Sequence, residues 1–135
     1  MTMDAELALQ QAIYAHLTGD ATLAALLDGR IYDDVPGEAV FPYVALGAAR
    51  SRDWSSGDSA GAEVTCMLVV YSRANGRREA KEIAGAVTAA LHEAGLVLTD
   101  HALVSLRFFD SDIVRERDGI TWRQEMRFRA LVEKI

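Results

Sequence analysis

Residues 103–132 read LVSLRFFDSDIVRERDGITWRQEMRFRALV, two β-rich runs on either side of Asp118-Gly119. Asp-Gly between alternating apolar residues is a strong short-range hairpin signal, because both residues tolerate the positive φ that a tight primed turn demands. The runs are Leu103 to Glu116 and Ile120 to Val132. With Asp118-Gly119 as the turn, Arg115 stands opposite Trp122, Asp110 opposite Arg127, and Phe109 opposite Phe128. In the second run Trp122, Met126, Phe128, Ala130 and Val132 share one face, and Arg123, Glu125, Arg127 and Arg129 share the other. Side chains alternate across a strand, so one side of this hairpin is buried and the other meets solvent or a partner.

Upstream, Glu63 to Ser72 places Val64, Cys66, Leu68 and Val70 on one face and predicts another strand. Phe41 to Leu46 predicts a further one, with Pro42 confined to its start or to an edge because it has no N–H. Between them, residues 48–62 have no apolar periodicity and are expected to form a long mobile loop holding Trp54. Helical spacing appears twice. Leu9, Ala12, Ile13, His16 and Leu17 predict an N-terminal helix. Ile83, Val87, Ala90, Leu91 and Ala94 predict a second over about Arg77 to Ala94, stopped by Gly95. Asp20 is placed to N-cap a short helix through Leu27, closed by Asp28-Gly29. Leu96 to Leu98 is expected as a short strand or extended arm. The expected fold is α+β, a mostly antiparallel sheet of about four strands with helices packed on one face, in a single domain over residues 1–135.

Composition narrows the function. The chain has 135 residues, 50% hydrophobic and 25% charged, with only 2 prolines, which fits one globular domain. No apolar run approaches the roughly 20 residues of a membrane helix, and Met1-Thr2-Met3-Asp4-Ala5-Glu6 lacks the basic start of a signal peptide. The single cysteine, Cys66, forbids an internal disulfide and reads as a buried small hydrophobe. The net charge of −6 resides entirely in residues 1–49, while residues 50–135 hold 13 acids and 13 bases. Such a balance is poorly suited to tight DNA binding, which rests on phosphate neutralisation.

The residues that carry catalysis are missing from the pattern. His16, His92 and His101 lie on different elements, and none stands at metal-ligand spacing from another or from Cys66. No nucleophile elbow, phosphate loop or dinucleotide fingerprint occurs. Catalytic, cofactor and metal residues are therefore expected to be none. Candidate interaction residues remain. Arg50, Arg52, Asp53 and Trp54 combine arginine with tryptophan, as interface hot spots do; alternatively Trp54 folds back over the sheet edge. Asp33 and Asp34 form an acidic pair that could bind a cation, though paired surface acids are usually just solvated, and Arg123, Arg127 and Arg129 line the outer face of the last strand. Ordinary cross-strand pairing with Asp110, Asp112 and Glu116 is the competing account of those arginines.

Pro42-Tyr43-Val44, Arg52-Asp53-Trp54, Gly76 through Ala84, Leu98 through Phe108 and Met126 through Glu133 occur in an order that resembles the small tail-completion proteins, the tail terminators of long-tailed phages and of phage-derived gene transfer agents. Asp28 through Pro36 resembles the alphaproteobacterial gene transfer agent branch. The resemblance implies an α+β structural protein of the virion or particle neck, made in the bacterial cytoplasm. It implies a homohexameric ring that caps the head-proximal end of the tail tube, ends tube growth and joins the tail to a head connector or stopper. DNA would pass through the lumen without specific binding, and no membrane, cofactor or catalytic residue is implied. Another neck component, or a small intracellular ligand-binding domain or enzyme, is the alternative.

Overall fold

The computed structural model describes residues 2–135; Met1, the first residue of the start read for a targeting segment, lies outside them. Helix α1 (Thr2–Thr18) leads into α2 (Ala21–Leu27) and a two-residue strand β1 (Ile31–Tyr32). Strands β2 (Tyr43–Asp53) and β3 (Gly61–Ser72) follow, then helix α3 (Arg78–Leu91) and strands β4 (His101–Arg115) and β5 (Trp122–Lys134). The sheet has five strands in the order β1-β2-β3-β5-β4, and only the β1–β2 pair is parallel. The expected α+β class holds, with one strand more than expected. Ile31-Tyr32 is too short to show a period, and its pairing with Val44 and Ala45 comes from tertiary packing.

The core lies between the helices and one face of the sheet. Ala5, Ala8, Leu9, Ile13 and Leu17 of α1 recur at three- and four-residue intervals and are buried. Ala80, Ile83, Ala84, Val87 and Leu91 do the same on α3. Both helices meet Val64, Leu68, Val70, Met126, Phe128, Ala130 and Val132 of the central strands in one cluster. Phe128 is fully buried at its centre, edge-to-face with Phe108 at 5.8 Å. His16, expected on the buried face, is exposed, yet its Nε2 lies 2.9 Å from the Ala90 carbonyl and ties α1 to the end of α3. Asp20 caps α2 as expected, its carboxylate accepting from the Leu23 N–H at 2.9 Å.

Three boundaries differ from expectation. Residues 48–62 are not a mobile loop: β2 runs to Asp53 and β3 starts at Gly61. Even the connection is ladder-like. Trp54 N–H donates to the Gly61 carbonyl at 2.8 Å, and Ser56 and Ser59 exchange both backbone hydrogen bonds at 2.9 Å. Gly57, at φ 57°, takes the first turn position between them. Every residue of the second half of β2 except the half-buried Ser51 is exposed, and none is a large apolar side chain, so alternation could not announce it. Helix α3 ends at Leu91, before Gly95, because Glu93 at φ 59° already breaks it and donates its N–H to the Leu106 carbonyl. Leu96 to Leu98 forms no strand; Leu98 makes only an isolated bridge to His101.

The hairpin register agrees near its turn. Arg115 pairs with Trp122 and Asp110 with Arg127. A bulge between Phe108 and Asp110 then shifts the ladder, so Phe108, not Phe109, stands opposite Phe128. The double phenylalanine leaves the period ambiguous, and burial of one ring against Phe128 decides it. Asp118 locks the turn by accepting from the N–H groups of Ile120 and Thr121 at 2.9 Å and from the Thr121 hydroxyl at 2.6 Å. Those bonds, the Thr121 hydroxyl first, hold its carboxyl below the usual range.

Candidate functional site

The sequence-selected residues fall in three separate places. Arg50, Arg52, Asp53 and Trp54 lie on the outer half of β2 and just after it, beside the start of α1, whose Glu6 accepts from the Ser51 hydroxyl at 2.7 Å. Arg52 pairs with Glu63 across the strands at 2.9 Å, while Arg50 is exposed with no ion pair among the described residues. Asp53 accepts from the Ser55 hydroxyl at 2.6 Å, and Ser55 in turn accepts from Gly61 N–H at 3.1 Å. Trp54 is 40% exposed. The rest of its ring lies over Gly61, where an added Cβ would come within 3.1 Å of the ring and of the Trp54 carbonyl. Gly61 is thus needed for close approach, and Trp54 partly covers the sheet end.

The helix-free face of β5 carries Arg123, Arg127 and Arg129. Arg127 is surrounded by Asp110 at 2.8 Å, Glu125 at 3.1 Å and Asp112 at 3.4 Å. The Asp110 hydrogen bond foremost, together with those neighbouring charges, raises the guanidinium's affinity for its proton. Arg123 lies 3.1 Å from Glu116 and 3.0 Å from Glu125. Arg129 faces Arg107 across the ladder and rests over the Phe109 ring at 4.6 Å. On the same face Tyr43 stacks on Tyr71 at 5.0 Å, and burial raises both phenols above their ordinary pKa. Cross-strand pairing therefore accounts for Arg123 and Arg127, and this face neutralises itself.

Asp33 and Asp34 are exposed in the connection after β1, with Glu38 further along it. Among the described residues no group of three or more His, Cys, Asp or Glu side chains is arranged to hold a metal ion. Among the described residues no helix is long and apolar enough to cross a membrane. Cys66 lies beneath α1, and burial pushes its thiol up to about 12, which keeps it protonated.

A fourth place was not selected from the sequence. Arg77 at the start of α3 and Arg115 at the end of β4 each lie 4.5 Å from the ring of Trp122. Arg73 sits 4.1 Å over Phe41. The register of Arg115 against Trp122 was legible; the arrival of Arg77 and Arg73 needs the chain's return from β3 into α3.

The sequence-selected residues thus lie in three separate surface patches. A solved structure described as "Virion of native gene transfer agent (GTA) particle" contains a chain 39% identical to this one, with a TM-score of 0.88 over 93% of this chain and 95% of that chain. No curated protein matches. The profile of the family described as "Tail completion protein gp17" matches residues 11–133, so the chain belongs to the tail completion protein gp17 family.

Proposed function

We propose that this chain is a structural component of the tail neck of a phage-like particle. There it forms a ring that caps the head-proximal end of the tail tube, ends tube growth and joins the tail to the head connector or stopper. The observation that carries this reading is the 39% identity, over nearly the full length of both chains, to a protein of a gene transfer agent virion. Membership of a tail completion family supports it. One hydrophobic cluster running from Ala5 to Val132 favours a single domain that acts as one rigid subunit. The role is non-catalytic, its partners being further copies of itself, the tube protein and the connector. DNA crosses the lumen as cargo, a reading supported by the net charge of −6.

Deleting the gene from a particle-producing strain tests this directly. Electron microscopy should reveal overgrown tails or heads and tails left unjoined. Tails of normal length on fully active particles would refute the role. Placement of the protein elsewhere in the neck by cryo-electron microscopy would reassign it to a different neck component.

A further inference from the structure

We propose that neighbouring subunits join head to tail, the acidic loop after β1 of one copy docking on the arginine cluster at the β4–β5 turn of the next. This inference rests on the ring reading above and names its seam. A closed ring requires two different, complementary surfaces on each subunit. The structure carries one acidic and one basic surface of this kind.

The first surface is the loop between β1 and β2. Asp33, Asp34 and Glu38 are exposed there, and none makes an ion pair or side-chain hydrogen bond among the described residues. Val40 in the same loop is 62% exposed. The second surface is the turn between β4 and β5 with the start of α3. Arg77, Arg115 and Arg117 have no ion-pair partner among the described residues, and Trp122 orients the first two. The acids beside them are engaged: Glu116 by Arg123, and Asp118 by Thr121 and the turn backbone. Arg115, Arg117 and their neighbours line an open depression, and Ile120 in the same turn is 57% exposed. Each patch thus combines unpaired charge with one exposed aliphatic side chain, the mixture that interface contacts favour.

β1 and β4 are opposite edges of the sheet, although both patches reach the same sheet end, where Arg73 lies 4.1 Å over Phe41 of the loop and 3.8 Å from Asp118 of the turn. Among the described residues no ion pair joins Asp33, Asp34 or Glu38 to Arg77, Arg115 or Arg117, so the matching charge is available to a second copy. Of the candidate arginines read from the sequence, Arg52, Arg123 and Arg127 are already held by carboxylates of their own chain, whereas Arg50 and Arg129 have no ion pair among the described residues.

The test places cysteines at the two aliphatic positions, which leaves every charge in place. Val40→Cys/Ile120→Cys protein, incorporated into particles and treated with a short bismaleimide, should give a ladder beyond the dimer. Each single variant should give none, with the parent chain as the control for Cys66. A product that stops at the dimer means a two-fold contact and overturns the proposal. Several copies per tail with no ladder overturns the seam while leaving the ring reading standing; one copy per tail removes both. In parallel, Arg115→Glu/Arg117→Glu should lower the assembled fraction about tenfold or more, and adding Asp33→Arg/Glu38→Arg to the same chain should restore it. Circular dichroism confirms folding, and the cysteine ladder decides the matter even if the charge variants misfold. Loss of DNA retention in the arginine variant with an unchanged ladder would assign the cluster to DNA and overturn the seam.

Discussion

Trp54→Ala separates a side chain that stabilises its own subunit from one reserved for a partner. The ring is 40% exposed, so about 60% of its surface is withdrawn from water, chiefly against Gly61 at the end of the β2–β3 pair. A tryptophan contributes up to roughly 250 Å², so about 150 Å² is covered. At about 25 cal/mol per Å² the upper limit is roughly 4 kcal/mol. Residual burial in the unfolded chain and the part retained by alanine reduce this to about 2 kcal/mol. Trp54→Ala should therefore lower the unfolding midpoint by roughly 6–10 °C for a domain of this size. Thermal and urea unfolding followed by far-UV circular dichroism measure this without interference from Trp122. Trp54→Phe should recover about half of the loss, since a smaller ring still covers Gly61. A stability change under about 0.5 kcal/mol would refute the reasoning, showing that the ring is not held against Gly61 in solution. An assembly defect larger than the loss of folded subunit would then mark Trp54 as an interface residue.

Phe128→Ala should cost about 3–5 kcal/mol, plus roughly 1 kcal/mol for the lost edge-to-face contact with Phe108; a cost below 2 kcal/mol in urea titration would mean the core is not centred there. Asp118 has a folded-state pKa below its unfolded value of about 3.9, so its contribution is complete above that value and is lost as pH falls through the lowered one. The stability gap between the parent chain and Asp118→Ala should hold from pH 5 to 8 and shrink below about pH 4; an equal gap at pH 2 and pH 7 would refute this. Cys66, with its thiol pushed up to about 12, should resist alkylation at pH 8 in the folded chain and react at the ordinary rate in urea. Equal rates in the two states would show that the site opens freely.

The parts of the fold legible in the sequence are those with one dry face. Helices α1 and α3, the inner faces of β3 and β5, and the α2 cap each rest on a periodicity or a capping residue that the structure repeats. What escaped lies where neither face is dry. Ala48-Ala49-Arg50-Ser51-Arg52-Asp53 is a strand because β3 supplies a partner ladder, with Ser51 also donating to Glu6 of α1 at 2.7 Å. Phe109 could not be told from Phe108 until the bulge was placed. The candidate surfaces were legible by residue type and not by availability. Arg127 and Arg115 look alike in sequence, yet one is ringed by three carboxylates and the other has no ion pair among the described residues.

That difference in availability bears on how a subunit of this kind is built. A lone globular domain gains most by ending its strands where the helix layer ends, because exposed ladder beyond it buries little apolar surface. Here the outer half of β2 runs on past the apolar core while its partner β3 keeps Ala62 and Val64 buried, and β4 continues for 15 residues with most of its side chains exposed. β4 is also a sheet edge, and a long free edge invites pairing with other chains. Its central stretch carries Asp110 and Asp112, held by Arg127, and the bulge beside Phe109 interrupts the ladder there. Charge and bulge oppose indiscriminate edge pairing. Specific contact is then left to the ends of the strand and its turn, where Arg115, Arg117 and Ile120 are exposed. For the ring proposed above, an edge blunted at its middle and chemically distinct at its tip would favour one neighbour in one orientation over a sheet that grows.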